Sequence, residues 1–440
     1  MIQKKIENQT AYAGVIGLGY VGLPLAVTMA KAGFSVTGID VDRRKVECIQ
    51  DGISAVSDVP SEDLASFVHR GQIHATTDYR ILRELDTINI CVPTPLRKSK
   101  DPDMSFIISA VDEIAQYLRK DQLIILESTT YPGTTEEVVL PKLEKSGLQV
   151  GKDFFLAFSP ERIDPGNATY STANTAKIVG GITTTCTQVA QLFYRQFIQE
   201  VHAVSSTRVA EMAKLLENTF RSVNIGLVNE MALMCDQMGL DVWEIVDAAA
   251  TKPFGFMPFY PGPGLGGHCI PVDPHYLSWK AKTYEFHARF IELASEINGS
   301  MPEYVLSKII DALNQHQKAI NGSKILIMGV AYKKNVGDVR ESPAIDVIRM
   351  LAQRRGEILY HDPYVPELEV EEVTPKSRQP VRYLCAELTA ELVQTVDCVV
   401  IMTDHADIDY AWVVDHAAAV VDTRNATKSI IQNRNKVLKI

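Results

Sequence analysis

The segment Gly17-Leu18-Gly19-Tyr20-Val21-Gly22 constrains the fold of this chain more than any other, because of what flanks it. A β-rich run, Tyr12–Ile16, precedes it, and Leu23–Ala32, of helical composition, follows and ends at Gly33, a plausible C-cap. Three glycines at this spacing permit a tight turn, close approach of a pyrophosphate and close packing of helix on strand. The helix N-terminus behind them supplies N–H groups and a positive partial charge. Alone, the pattern is only a glycine-rich turn. Here a second β-rich run, Ser35–Ile39, leads into Asp40, 23 residues after Gly17, where an acid can hold the ribose hydroxyls of a dinucleotide. An acid there repels a 2′-phosphate and favours NAD over NADP, with Arg43 and Arg44 as opposing charges.

Further β-rich runs at Thr87–Val92 and Leu123–Glu127 continue the strand–helix alternation to about residue 130, the pattern of a parallel sheet with right-handed crossovers. From about 203 to 318 the pattern is almost wholly helical, broken by the proline- and glycine-rich stretch Pro253–Pro274. Strands return at Lys324–Gly329, Glu357–Tyr360, Asp397–Met402 and Ala418–Val421. The two β-containing parts echo each other: Val36–Asp40 and Ile358–Asp362 both end in an acid, and Asp86–Pro95 resembles Asp397–His405. The second part has no Gly-x-Gly-x-x-Gly. The expectation is an α/β chain with two Rossmann-like, doubly wound parallel-sheet domains, residues 1–202 and 321–440, joined by a central all-helical domain, residues 203–320. Only the first is built for a dinucleotide.

At 440 residues the chain exceeds one ordinary core, in line with that division. No apolar run approaches the ~18 residues that cross a bilayer, so no membrane association is expected. Met1–Thr10 is polar, with no apolar signal core. Seven cysteines, never in a Cys-x-x-Cys pair, argue against a disulfide framework and a structural zinc site, and fit a reducing cytoplasm. No metal is expected. A net charge of −10 leaves no electrostatic footprint for nucleic acid.

The chemistry concentrates in a few places. Gly264-Leu265-Gly266-Gly267-His268-Cys269-Ile270-Pro271-Val272-Asp273 is a glycine-rich turn that presents one thiol, with an acid four residues on. Such a cysteine is either a small buried hydrophobe or a nucleophile, and with a dinucleotide fingerprint upstream it points to a dehydrogenase that bonds covalently to its substrate. Thr94 and Thr129 lie just past predicted strand ends, where they either contact a ligand or simply close the strands. Glu211, Lys214, Asn218 and Arg221 recur at helical spacing as a polar stripe among Met212, Leu215, Leu216, Phe220 and Val223. The stripe either faces water or lines a wet pocket, where a lysine can stabilise an oxyanion. Ser159-Pro160-Glu161-Arg162-Ile163 offers either a carboxylate for water activation or a surface ion pair. Tyr332 to Pro343 opens the last domain with several loop charges, either solvated or in contact with phosphate or cofactor.

Taken together, GLGYVGLP, VPTP, EST, SPER, EMAKLLENTFR, PGPGLGGHCIPVDP and KKNVGDVRESPA, in this order from about residue 12 to 435, resemble the UDP-glucose/GDP-mannose dehydrogenase family. The resemblance implies an NAD-binding first domain, a dimerising central domain, so a homodimer or higher homo-oligomer, and a last domain that binds a UDP-sugar. It implies a four-electron oxidation of a sugar CH₂OH, with Cys269 forming a thiohemiacetal and then a thioester that water hydrolyses. Lys214 and Asn218, with a water held by Asp273, would stabilise the oxyanions; Glu161 falls where the family has a carboxylate for water activation or proton transfer. Gly17, Gly19, Tyr20, Val21, Gly22, Asp40, Thr94 and Thr129 would contact NAD, Thr129 serving at the reacting centre too. Lys333 and Arg340 would add nucleotide or cofactor contacts. Arg162, Ile163, Lys214, Asn218, Arg221, Phe259, Tyr260 and Gly266 would bind the sugar nucleotide, with Lys252 reaching a neighbouring subunit's site. His268 before the cysteine, SPERIDPG, VPTPLRKSKDPDMSFI and PHYLSWKA resemble the N-acetylhexosamine branch, closest to members that oxidise UDP-N-acetylglucosamine at C6. UDP-N-acetylmannosamine and UDP-glucose are the alternatives within the class. A binding protein that kept the folds and lost catalysis is the alternative outside it, and it predicts loss of Cys269, Lys214, Asn218 or Asp273, all of which are present.

Overall fold

A computed structural model of the chain describes residues 2–56, 58–97, 101–164, 169–267, 269–374 and 377–440, and of 372–374 and 377–379 the backbone alone. The chain divides into two compact units, Met1–Glu217 with His275–Phe286, and Asn218–Pro274 with His287–Ile440.

The first unit is built on an eight-stranded sheet. Its strands are β1 (Tyr12–Ile16), β2 (Ser35–Ile39), β3 (Ile73–Thr76), β4 (Thr87–Ile90), β5 (Leu123–Leu126), β6 (Phe155–Phe158), β7 (Lys177–Gly181) and β8 (Val201–Ala203), in spatial order β3-β2-β1-β4-β5-β6-β7-β8. All neighbours run parallel except β6 and β7. β4 (TINI) and β5 (LIIL) are buried at every position, the continuous apolar run expected of strands covered on both faces. The helix Gly22–Lys31 buries Leu23, Leu25, Ala26, Met29 and Ala30 against that sheet. Chain order reverses between β1 and β4, paired at Ile16 and Ile90, so the topological switch point lies at their carboxyl ends, where doubly wound sheets bind ligands.

The second unit holds a five-stranded parallel sheet: β9 (Lys324–Met328), β10 (Glu357–His361), β13 (Cys398–Ile401), β14 (Val420–Asp422) and β15 (Val437–Lys439), in order β10-β9-β13-β14-β15. An antiparallel hairpin of β11 (Glu367–Thr374) and β12 (Ser377–Leu384) stands beside it. Leu368 and Val370 of β11 face the core while Glu367, Glu369 and Glu371 face out, the period-two alternation of a half-covered strand. Long helices supply the rest. Thr207–Met238 leaves the first unit and enters the second at Glu217 and Asn218, and Arg289–Gln315 carries a buried proline at its centre, Pro302. A proline has no N–H for the carbonyl four residues earlier, here that of Asn298. The fold is α/β, two Rossmann-like sheets with an all-helical region between them in sequence. No helix among the described residues is long and apolar enough to cross a membrane.

Candidate functional site

In the first unit the glycine turn has the form a pyrophosphate needs. Gly17 has φ +93°, and a Cβ added to it would lie 2.5 Å from the Cys91 carbonyl oxygen. A Cβ on Gly22 would lie 1.8 Å from the Gly17 oxygen, so helix and turn close only on glycine. At Gly19 a Cβ would meet nothing within 4 Å: this position faces open space, as a ligand-facing glycine should. Asp40 is buried at the end of β2. Its Oδ2 accepts the Leu18 N–H at 2.8 Å and its Oδ1 the Asp42 N–H at 3.0 Å. Lys45 donates to Oδ2 at 3.0 Å, while Arg43 pairs with Glu47. Tyr20 is exposed and Val21 half-buried beside the turn, and the Thr94 carbonyl accepts from the buried Tyr276 hydroxyl at 3.0 Å. The turn and Asp40 fit a dinucleotide.

The loop after β5 is tied down residue by residue. Glu127 accepts from Lys177, Asn89 and Tyr194, and Ser128 Oγ donates to the Ile90 and Val92 carbonyls of the neighbouring strand. Lys214 Nζ donates to Thr129 Oγ1 at 2.5 Å. One turn earlier on the same helix, buried Glu211 accepts the Gly133 N–H at 2.5 Å, and the Thr135 N–H and hydroxyl at 2.9 and 2.7 Å. Burial pushes its carboxyl up to about 7, against the pull of those donors. The polar stripe therefore turns inward at Glu211 and Lys214, whereas Met212, Leu216 and Phe220, with Arg221 of the stripe itself, are exposed. Glu161 Oε1 accepts the N–H groups of Arg162 (2.8 Å) and Ile163 (2.9 Å), and the Arg162 guanidinium pairs with Glu217 at 2.7 Å.

In the second unit, Cys269 sits in a turn closed by the Asp273 N–H, which donates to the Cys269 carbonyl at 2.8 Å. Asp273 is buried as the first residue of a helix, and Asn218 Nδ2 donates to its Oδ2 at 2.6 Å. The thiol's loop is docked at two points. Gly267 N–H donates to the Arg340 carbonyl at 3.0 Å, and a Cβ on Gly267 would lie 2.9 Å from the Tyr332 ring. Further back, buried Asn229 accepts the Gly262 N–H at 3.0 Å and donates to Asn298, while a Cβ on Gly264 would lie 3.3 Å from the carbonyl that Pro302 leaves without its helical partner.

The remaining predicted contacts scatter within this unit. Arg340 pairs with Asp338, and Lys333 is half-buried in a loop held by the Asn335 N–H donating to His405 Nδ1 at 3.0 Å. His405 Nε2 in turn meets Asp362, which also accepts the Val330 and Ala331 N–H groups, repeating in the second sheet what Asp40 does in the first. Burial raises the Asp362 carboxyl, but His405 and those amides outweigh it and hold it low. Gly266 packs on Tyr332, Phe259 meets Phe220 edge-on, and Tyr260 stacks on Trp243 and donates to Asp247. Arg221 and Lys252 are exposed, Lys252 over the Phe254 ring. His268, residues 98–100 and residues 165–166, part of the segments behind the choice of sugar, lie outside the described residues. Reading the sequence did not single out Lys45, Lys177, Tyr276, Asn229 or Asn298. Each is a lone polar residue in an ordinary pattern, and only the fold supplies its partner.

Comparison with known proteins agrees along the chain. The UDP-glucose/GDP-mannose dehydrogenase family's NAD-binding domain matches residues 12–198, its central domain residues 208–300 and its UDP-binding domain residues 326–429. A UDP-N-acetyl-D-glucosamine 6-dehydrogenase of Pseudomonas aeruginosa is 38% identical over 353 residues, 80% of this chain and 82% of that protein. An NDP-N-acetyl-D-galactosaminuronic acid dehydrogenase of Ralstonia solanacearum is 35% identical over 92% of this chain and 93% of its own. The solved structure of a UDP-D-ManNAc dehydrogenase from Pyrococcus horikoshii superposes with a TM-score of 0.85 at 31% identity, covering 94% of this chain and 96% of that one. With the glycine turn, Asp40 and three matching domains in one order, the chain belongs to the UDP-glucose/GDP-mannose dehydrogenase family and takes NAD as its cofactor.

Proposed function

We propose that this protein oxidises the C6 hydroxymethyl of UDP-N-acetylglucosamine to a carboxylate, giving UDP-N-acetylglucosaminuronate for surface polysaccharide synthesis in the cytoplasm. The observation that carries the reading is the Cys269 turn, closed on Asp273, with Asp273 buried and held by Asn218. A two-electron hydroxyacid dehydrogenase needs no such thiol, and a protein reduced to binding needs none of the three groups.

Loss of a hydride and a proton turns the alcohol into an aldehyde. The Cys269 sulfur adds to the carbonyl, forming a C–S bond. Loss of a second hydride and the hydroxyl proton leaves a thioester, and water then breaks the C–S bond, releasing the carboxylate and restoring the thiol. NAD, when bound, accepts one hydride in each oxidation. Lys214, held by Thr129, would stabilise the oxyanions, together with Asn218 and a water on Asp273. Glu161 would serve water activation or proton transfer. Gly17, Gly19, Gly22, Tyr20, Val21, Asp40 and Thr94 would hold the dinucleotide, with Lys333 and Arg340 as nucleotide contacts. Arg162, Ile163, Arg221, Phe259, Tyr260 and Gly266 would contact the sugar nucleotide, and Lys252 the site of a second subunit. Residues 1–202 would then serve as the NAD domain, 203–320 as the dimerising domain and 321–440 as the UDP-sugar domain.

The name of the Pseudomonas relative supports the glucosamine epimer. That of the Pyrococcus structure makes UDP-N-acetylmannosamine the second reading. NADH and product mass should be followed with UDP-N-acetylglucosamine, UDP-N-acetylmannosamine and UDP-glucose in parallel, with a Cys269→Ser arm. We expect two NADH per sugar, fastest with the first substrate, and no net uronate from the serine variant. One NADH per product, or normal turnover without the thiol, would refute the thioester route. Faster oxidation of another sugar would refute the choice of substrate alone.

A further inference from the structure

At the carboxyl ends of β5 and β6, three charged side chains are buried together. Lys177, the first residue of β7, is 4% exposed, Glu127 1% and Glu161 9%. Lys177 Nζ lies 2.5 Å from Glu127 Oε2 and 3.2 Å from Glu161 Oε2. Burying ions is costly, and well-packed apolar residues in such a place are often as stable or more so, so stability alone is a poor reason for this array.

Its geometry separates an anchor from a load. The free end of Glu127, Oε1, accepts from Asn89 Nδ2 at 2.6 Å and the Tyr194 hydroxyl at 2.7 Å, both fully buried in strand and helix. The free end of Glu161 instead accepts two main-chain N–H groups, those of Arg162 and Ile163, in the loop leaving β6. Every partner of the two carboxylates is a donor. Two anions against one ammonium leave one net negative charge. Burial works against the Lys177 ammonium, but the two carboxylates outweigh it and hold the lysine protonated. The preceding residue joins in, since the Ala176 carbonyl accepts from the Arg162 guanidinium at 2.6 Å.

We infer that Lys177 is a positioning residue: braced by Glu127, its ammonium fixes the Glu161 carboxylate and, through it, the Arg162–Ile163 main chain in the setting that receives the sugar nucleotide. This rests on the reading made above of Arg162 and Ile163 as sugar-nucleotide contacts and of Glu161 as a group for water activation or proton transfer. It adds that their geometry is set from β7, by a residue outside every motif that marks the family. Lysine is suited to the task because its compact ammonium can face two carboxylates at once.

The test uses the full-length enzyme with NAD and whichever UDP-sugar the wild type turns over. Lys177→Met leaves two buried anions facing each other and is expected to fold poorly. The paired change Glu127→Gln with Lys177→Met removes one charge of each sign and keeps the net charge. We expect the pair to melt cooperatively, to keep KM for NAD within twofold, and to lose at least tenfold in kcat/KM for the sugar nucleotide. Adding Glu161→Gln to the pair should cost little more, whereas in the wild type it should cost as much as the pair itself; Lys177→Arg should recover part of the loss. A pair that folds with both KM values and kcat within twofold of wild type overturns the inference. So does a pair that does not fold, which would make the array a structural keystone, or a Glu161→Gln cost that adds in full. A wild type inactive on every UDP-sugar would remove the underlying reading, and the inference with it, before any variant is compared.

Discussion

Asp40 does two things with one carboxylate. It stitches the glycine turn to the end of β2 through the Leu18 and Asp42 N–H groups, and in the cofactor contacts proposed above it would present negative charge where a 2′-phosphate would lie. Lys45, 3.0 Å away, is held by that charge, and Arg43 is occupied by Glu47. Asp40→Ser should therefore release Lys45 toward the ligand and raise the NADP-to-NAD ratio of kcat/KM by about tenfold or more. The ratio is the readout because a general loosening of the turn lowers both values together; an unchanged ratio would show that the acid does not set the preference. The glycines and Asp40 were legible in the sequence, since their spacing has one economical explanation. Lys45 was not, because a lysine early in a helix reads as solvated until the turn brings the acid to it.

The element that ties the first unit's site together is the loop after β5, clamped to the Thr207–Met238 helix by Glu211. Facing this acid are Arg208 on its own helix, engaged with Glu136 and Glu137 of the clamped segment, and Lys280, which pairs with Glu137. The Glu211 carboxyl stands at about 7, above the 4.5 of an ordinary glutamate. A raised acid favours the folded state most while protonated, so its contribution is complete below about 4.5 and fades as pH rises through 7. Between pH 5 and pH 8 the stability of the wild type relative to Glu211→Gln should thus fall, by on the order of 3 kcal/mol at most. Denaturant midpoints of the two proteins across that range measure it, and a pH-independent gap would rule it out. Periodicity revealed the polar stripe but not its direction. The helix is apolar on other faces too, and only burial shows that Glu211 and Lys214 point in while Met212, Leu216 and Phe220 point out.

At the scale of the whole molecule, the alternation of strand and helix gave away the two sheets, and β1, β2 and β9 begin where the apolar runs begin. Three of the edges stayed hidden. β3, β8 and β15 are three or four residues long, and such short edge strands carry too few alternations to stand out from loops. The outward residues Leu216, Leu227, Met234 and Met238 continue along the long helix as an exposed apolar line, 46–63% accessible, of a kind that soluble proteins seldom leave bare. In the homodimer proposed above this line is a natural seam. Leu227→Asp with Met234→Asp should shift the mass measured by light scattering from dimer toward monomer, and an unchanged mass would place the seam elsewhere. Two glycines of the thiol's loop also constrain descent. A Cβ on Gly266 would sit 2.6 Å from the Tyr332 Cβ, and one on Gly267 would press on the same residue's ring. Any lineage drifting from this chain must hold both glycines for as long as it holds the tyrosine, so the thiol's loop and the loop of the second sheet can diverge only in step.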